Sequence, residues 1–295
     1  MSGTRVMRAG RFVAAAVVGL GLLAGCRTDP IVPDDLNPAA VETPDAGVPG
    51  YGELVERYNA NAEALPRVWA RTRVAMRWED ERGRKRREAG DGRLIFERPL
   101  NTAWTVEVLG DVKLWAGSDA QGFWVFDRLD DGRAYYGRYG APLARPLPLP
   151  VQPEAVPYLL GLMPLDPSRR PPAPEVETFR GYYLIEPPGL GLRMMLDPAT
   201  ARPVRIDLTD SRGRSALTSR LSGAVEVDGP DGVTAVLPET AKLYPQGQEA
   251  EMTVTLRRAT TDERRIKRKW FDFDGLVEAM KPDAVVDLNE PAAAR

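Results

Sequence analysis

The chain has 295 residues, 43% hydrophobic and 28% charged, with a formal net charge of −2. This suits one large domain or two smaller ones with a packed core, and it excludes a global field that recruits nucleic acid or an anionic bilayer. With no histidine and one cysteine, Ser-His and Cys-His nucleophilic centres, His/Cys zinc sites and internal disulfides are excluded; an enzyme would rely on carboxylates, Lys or Tyr.

Arg5, Arg8 and Arg11 precede an apolar run, Phe12 to Leu23, shorter than the about 20 residues that a spanning helix needs. The run closes on Leu23-Ala24-Gly25-Cys26, which resembles a bacterial lipobox. The resemblance implies cleavage before Cys26 and acylation of that residue, so that the N-terminal lipid holds the protein on a membrane. The alternative is a conventional cleavage site with Cys26 an ordinary residue. Arg27 stands where an Asp resembles an inner-membrane retention signal, which points to the outer membrane, facing the periplasm. Residues 27–50 are rich in Pro, Asp, Ala and Gly with no apolar period, the composition of a disordered tether.

From Tyr51 the pattern becomes helical: Leu54, Tyr58, Ala62 and Leu65 recur on one side, and Pro66 helps to end the helix. A period of two follows, with Val68, Ala70, Thr72, Val74, Met76 and Trp78 on one face of a long strand. Beyond the charged turn at 81–88 come strand-like runs in which Leu94 shares a face with Phe96, and Trp104 with Val106 and Val108. Further strands lie around 111–119 and 122–129, separated by Asp and Gly turn signals. The prolines of 142–150 exclude a central strand. Residues 153–165 read as a short apolar helix with Val156, Leu159 and Leu160 on one side, and 164–174 as a loop. Strands resume from about 176 through 273, RIKRKWFDF being the last. Residues 281–295 resemble the tether in composition and are expected to fray.

The expected fold is therefore mainly β: an incomplete antiparallel β-barrel, a curved sheet of about 11–12 strands. An N-terminal amphipathic helix and a short mid-chain apolar helix cover it. The expected division is signal peptide 1–25, acylated cysteine and tether 26–50, folded domain 51–280 and flexible tail 281–295.

Three features resemble the bacterial lipoprotein-carrier superfamily with the LolA/LolB-like fold. The helix Leu54 to Leu65 leads into a strand ending Met76-Arg77-Trp78. The run from Gly92 to Asp127 carries a Gly-x-Leu strand, an Arg-Pro turn, an aromatic strand and a Gly-Ser-Asp turn. Leu192 to Ile206 contains a Leu-Asp-Pro-x-Thr turn between two strands. The resemblance spans about residues 51–260 and departs from the family in the longer proline-rich insert, 142–174. It implies a curved sheet and helices enclosing an apolar cavity for acyl chains or lipoproteins, with Cys26 placing the chain nearer the lipid-anchored acceptor than the soluble carrier.

The resemblance makes a candidate lining of the alternating apolar residues Val74, Met76, Trp78, Leu94, Phe96, Trp104, Val106, Leu114 and Phe123, with Tyr158, Leu159 and Leu162 from the lid. The plain alternative is that they pack a filled core, in which case the protein is a structural or adaptor lipoprotein. The basic run Arg82, Arg84, Lys85, Arg86 and Arg87 reads as a solvated hairpin tip, and Arg257 to Lys269 as an exposed strand face. Acidic clusters at 79–81, 130–131 and 272–274 fall at turns or strand ends and lack calcium-loop spacing. Residues 189–194 hold only the first two glycines of a dinucleotide fingerprint, and no phosphate loop is present. No cofactor, nucleic-acid partner or catalytic set is expected, and nothing speaks to oligomeric state.

Overall fold

Residues 37–42, 47–79, 85–128, 132–147, 149, 152–167, 174–247 and 250–291 are described by the computed structural model of the chain. Cys26, the lipobox and the tip residues Arg82 and Arg84 lie outside them, as does the side chain of Trp78.

The helical period produces α1 (Tyr51–Glu63), which buries Tyr51, Leu54, Val55, Tyr58 and Ala62. Its last carbonyls, Ala62 and Glu63, accept from Arg98 Nη2 at 2.9 and 3.0 Å, satisfying groups that a helix end leaves open.

The period-two pattern builds a meander of β1 (Arg67–Glu79), β2 (Lys85–Glu97), β3 (Asn101–Val108), β4 (Asp111–Ser118), β5 (Gly122–Asp127) and β6 (Arg133–Arg138). A second series comprises β7 (Glu177–Phe179), β8 (Tyr182–Ile185), β9 (Leu192–Leu196), β10 (Pro203–Thr209) and β11 (Ser215–Ser222). The hairpin β12 (Val225–Asp228) and β13 (Thr234–Leu237) stands apart, and β14 (Thr240–Pro245) and β15 (Ala250–Thr260) return to the sheet. β15 pairs antiparallel with β1 and joins the two series at a central seam. The result is one unclosed 14-stranded sheet, edged by β7 on one side and β16 (Val285–Asp287) on the other.

Several expectations need correction. The sheet is wider than expected, because β6 and β16 also join it and residues 177–185 split into two strands at the Arg180-Gly181 turn. The run 265–273 is not a strand: short 3-10 turns at Glu263–Arg265 and Arg268–Trp270 lead into α3 (Phe273–Met280). Asp272 caps α3, its side chain accepting from Gly275 N at 3.1 Å. The stretch after 280 does not fray as far as it is described. β16 adds parallel to β6, Leu288 is fully buried, and Asn289 Nδ2 donates to the Ala141 and Pro142 carbonyls.

Residues 263–280 form a belt across the outer face of the first meander. Trp69, Ile95, Trp124 and Phe126 pack there with Phe271 and Leu276. The Phe273 ring stacks on Tyr136 with centroids 4.8 Å apart, and Arg265 lies over Trp69 at 4.6 Å.

The described part of the stretch expected as a tether lies against the other end of the sheet. Val41 N donates to Arg180 O at 3.0 Å, and Tyr182 Oη donates to Ala39 O at 3.0 Å. Gly181 makes this approach possible: it has φ +85°, and a Cβ there would stand 1.8 Å from Val41 O. Arg205, ion-paired with buried Asp207 at 2.9 Å, donates to Asn37 Oδ1 at 2.7 Å.

Candidate functional site

Alternation sends Val74, Leu94, Phe96, Trp104, Val106 and Leu114 to the inner face of the sheet, where they join one buried cluster with α1 and residues 159–165. The cover over the seam is a lid. It starts with a 3-10 turn (Pro153–Ala155), continues as α2 (Val156–Leu159) and ends at Gly161 with φ +70°. Pro157 stands in the first turn of α2, where no hydrogen bond is lost.

Few polar bonds hold the lid. Ser219 Oγ donates to Leu159 O at 2.9 Å and Tyr58 Oη to Met163 O at 2.7 Å. Asn59 acts like a strand peptide: its Nδ2 donates to Leu165 O at 2.7 Å, and its Oδ1 accepts from Leu165 N at 2.8 Å. Asn61, two residues on, clamps Val236 of β13 in the same way at 2.9 and 2.8 Å. One helix thus fixes both the lid and the separate hairpin.

Between lid and sheet lies a cavity of about 30 Å³. Thr72, Leu94, Trp104, Ala241, Leu243, Met252 and Val254 line it from the sheet, and Leu149, Val156, Leu159 and Leu160 from the cover. The wall is apolar apart from the Thr72 hydroxyl and the Trp104 indole N–H, both buried without a partner. The volume is enough for about one water and far below the roughly 300–1,000 Å³ of small-molecule sites. The lid is closed down on the sheet.

Of the expected lining, Leu94, Trp104 and Leu159 meet at the cavity. Val74, Phe96, Val106, Leu114 and Leu162 are buried in the same cluster but do not line the cavity, and Met76 and Tyr158 are partly buried against that cluster. Phe123 is 2% exposed and lies outside that cluster, against Gly137, where any Cβ would meet its ring, and near Tyr139 with centroids 6.2 Å apart. Sequence reasoning missed Ala241, Leu243, Met252 and Val254, which reach the site only through the β1–β15 seam.

It also passed over Glu154, the only charged residue between Arg145 and Asp166. Glu154 sits in the lid's first turn with one carboxylate oxygen buried and unpartnered. Burial pushes its carboxyl up to about 7, against the opposing pull of its own backbone hydrogen bond. Burial, then the nearby Glu154 charge, also raises Tyr139. Among the described residues no His, Cys, Asp or Glu group could hold a metal ion, and no helix is long and apolar enough to cross a membrane.

A curved, unclosed antiparallel sheet with helices on its inner face defines a LolA-like fold. A LolA-superfamily protein from Nitrosomonas europaea matches it at a TM-score of 0.51 and 12% identity, covering 77% of this chain and 99% of its own. A DUF1329 family protein from Desulfovibrio piger matches at 0.52 and 11%, covering 77% and 97%. A putative outer membrane lipoprotein-sorting protein domain from Vibrio parahaemolyticus reaches 0.48 at 12% identity, covering 75% and 95%. No protein-family model matches the chain, and neither does any curated protein.

Proposed function

We propose that the chain is a membrane-anchored lipid-binding protein of the bacterial envelope. In this reading Cys26 is the acylated N-terminus, held in the outer membrane and facing the periplasm. The inner face of the sheet takes acyl chains, free or borne by lipoproteins, when the lid lifts. The observation that carries the reading is the apolar cavity between the sheet and a lid held by few polar bonds. An acyl chain needs more room than about 30 Å³, so lid opening is part of the reading, and the LolA-like fold supports it.

The test is native mass spectrometry of protein extracted from membranes, followed by titration with a fluorescent fatty acid. Co-purifying lipid and saturable probe binding are expected; a lipid-free protein that also ignores the probe overturns the reading. Mass analysis of the N-terminal peptide decides separately whether Cys26 is acylated.

The small cavity favours a second reading, an adaptor lipoprotein with a filled interior. It requires absence of probe binding and loss of co-purifying partners when residues 142–174 are removed.

A further inference from the structure

The net charge of −2 conceals an uneven distribution. On the outer face at the seam, Arg71 of β1 stands directly opposite both Arg93 of β2 and Arg257 of β15. Directly paired residues of antiparallel strands share a face with Cα atoms about 4.5–5.5 Å apart, and like charges placed so repel. All three side chains are exposed. Arg93 pairs with Glu107 at 3.1 Å, whereas Arg71 and Arg257 have no ion pair among the described residues.

The register of β1 and β15 shifts beside this row, and Arg258 occupies the irregularity with φ +51°. That backbone is uncommon for a residue with a side chain, and bulges re-aim what they carry. Arg258 adds a fourth exposed cation. A second row of cations, Lys242, Arg220 and Arg205, crosses β14, β11 and β10 on the same face, the last two already partnered within the protein.

We infer that the outer face at the β2–β1–β15 seam is a docking surface for anionic phospholipid headgroups. The charges spread across neighbouring strands, about 4.8 Å apart, so they meet a layer of anions better than a single one. Guanidinium forks take phosphate oxygens in pairs. The exit of the chain supports the same partner: Asn37 is bound by Arg205 of that face. Resting on the anchor reading above, the connection from Cys26 to Asn37 reaches at most about 40 Å. The anchor therefore keeps the arginine face within reach of its own bilayer.

The test uses the chain from residue 26 with Cys26→Ser, which carries no acyl group, floated with phosphatidylcholine vesicles with or without phosphatidylglycerol. Binding is expected only with phosphatidylglycerol, and it weakens as salt rises. The Arg71→Gln/Arg93→Gln/Arg257→Gln variant is expected to bind about tenfold more weakly or worse, with a melting temperature unchanged or raised because the repulsion is gone. If that variant fails to fold, Arg71→Gln alone is expected to lose severalfold. Undiminished binding by the variant, equal binding to both vesicles, full displacement by millimolar inorganic phosphate, or binding of polyglutamate but no vesicle each overturns the inference. Vesicle binding with an unacylated Cys26 in the native protein removes the anchor reading and leaves this one standing.

Discussion

The two faces of the sheet are covered in opposite ways. On the inner face the cover over the seam is a lid whose only regular helix is four residues long, tied down by Ser219, Tyr58 and Asn59. On the outer face of the first meander the belt is locked by ring contacts around Phe273, by a capped helix and by β16 completing the edge. Both contacts are apolar, so hydrophobicity alone does not separate them. Anchorage does: the belt is tied at both ends into the sheet, and the lid rests on a few separable bonds. A part held by separable bonds is the one able to open.

The sharpest way to break this comparison is to damage the fixed face. Trp124→Ala, at a fully buried outer-face position, is expected to destabilise by about 3–5 kcal/mol in urea unfolding while leaving fatty-acid probe affinity in the surviving folded protein unchanged. A parallel loss of affinity would show that the faces are not independent.

Asn59→Ala acts on the movable side. It leaves both peptide groups of Leu165 without their partner, a loss of about 2–3 kcal/mol. Stopped-flow mixing should show faster probe association, because the lid opens more often. Leu243→Phe crowds the cavity wall and should destabilise by about 1–2 kcal/mol and abolish probe binding; retained binding would place the ligand elsewhere.

The smallest effect concerns pH. Glu154 has its carboxyl raised from 4.5 to about 7 in the folded protein, so the folded state holds the proton more tightly than the unfolded one. The contribution is fully present below pH about 4.5, declines as pH rises through about 7, and changes no further above it. Glu154→Gln should remove that slope and stabilise the protein at pH 8 by on the order of 1 kcal/mol. An unchanged slope would mean that the carboxyl is solvated.

Local order was legible where one period ran long enough. Leu54, Tyr58, Ala62 and Leu65 announce α1, and the alternation from Val68 announces β1, whose Val68, Ala70, Thr72 and Val74 bury as expected while Met76 is half-buried. Leu159 beside Val156 and Leu160 likewise announced the lid. What failed depended on distance along the chain. The seam carries Leu243, Met252 and Val254 to Trp104 and Leu94, a juxtaposition without a local signal. β16 is three residues long and owes its existence to β6. The belt misled for a different reason: alternating charges and aromatics in RIKRKWFDF imitate a strand, although Phe273, Leu276, Val277 and Met280 carry a helical period after the Asp272 cap.

The seam also dictates an order of assembly. Synthesis delivers β1 well before β15, and the belt and β16 after β15. Until then the first meander has an unpaired central edge at β1 and a bare outer patch containing Trp69, Trp124 and Phe126. Exposed edges and aromatic patches of that kind draw nascent chains into aggregates. The residues from β15 onward therefore act as a quality seal: a chain that stops before about residue 250 leaves the middle of its sheet as an edge.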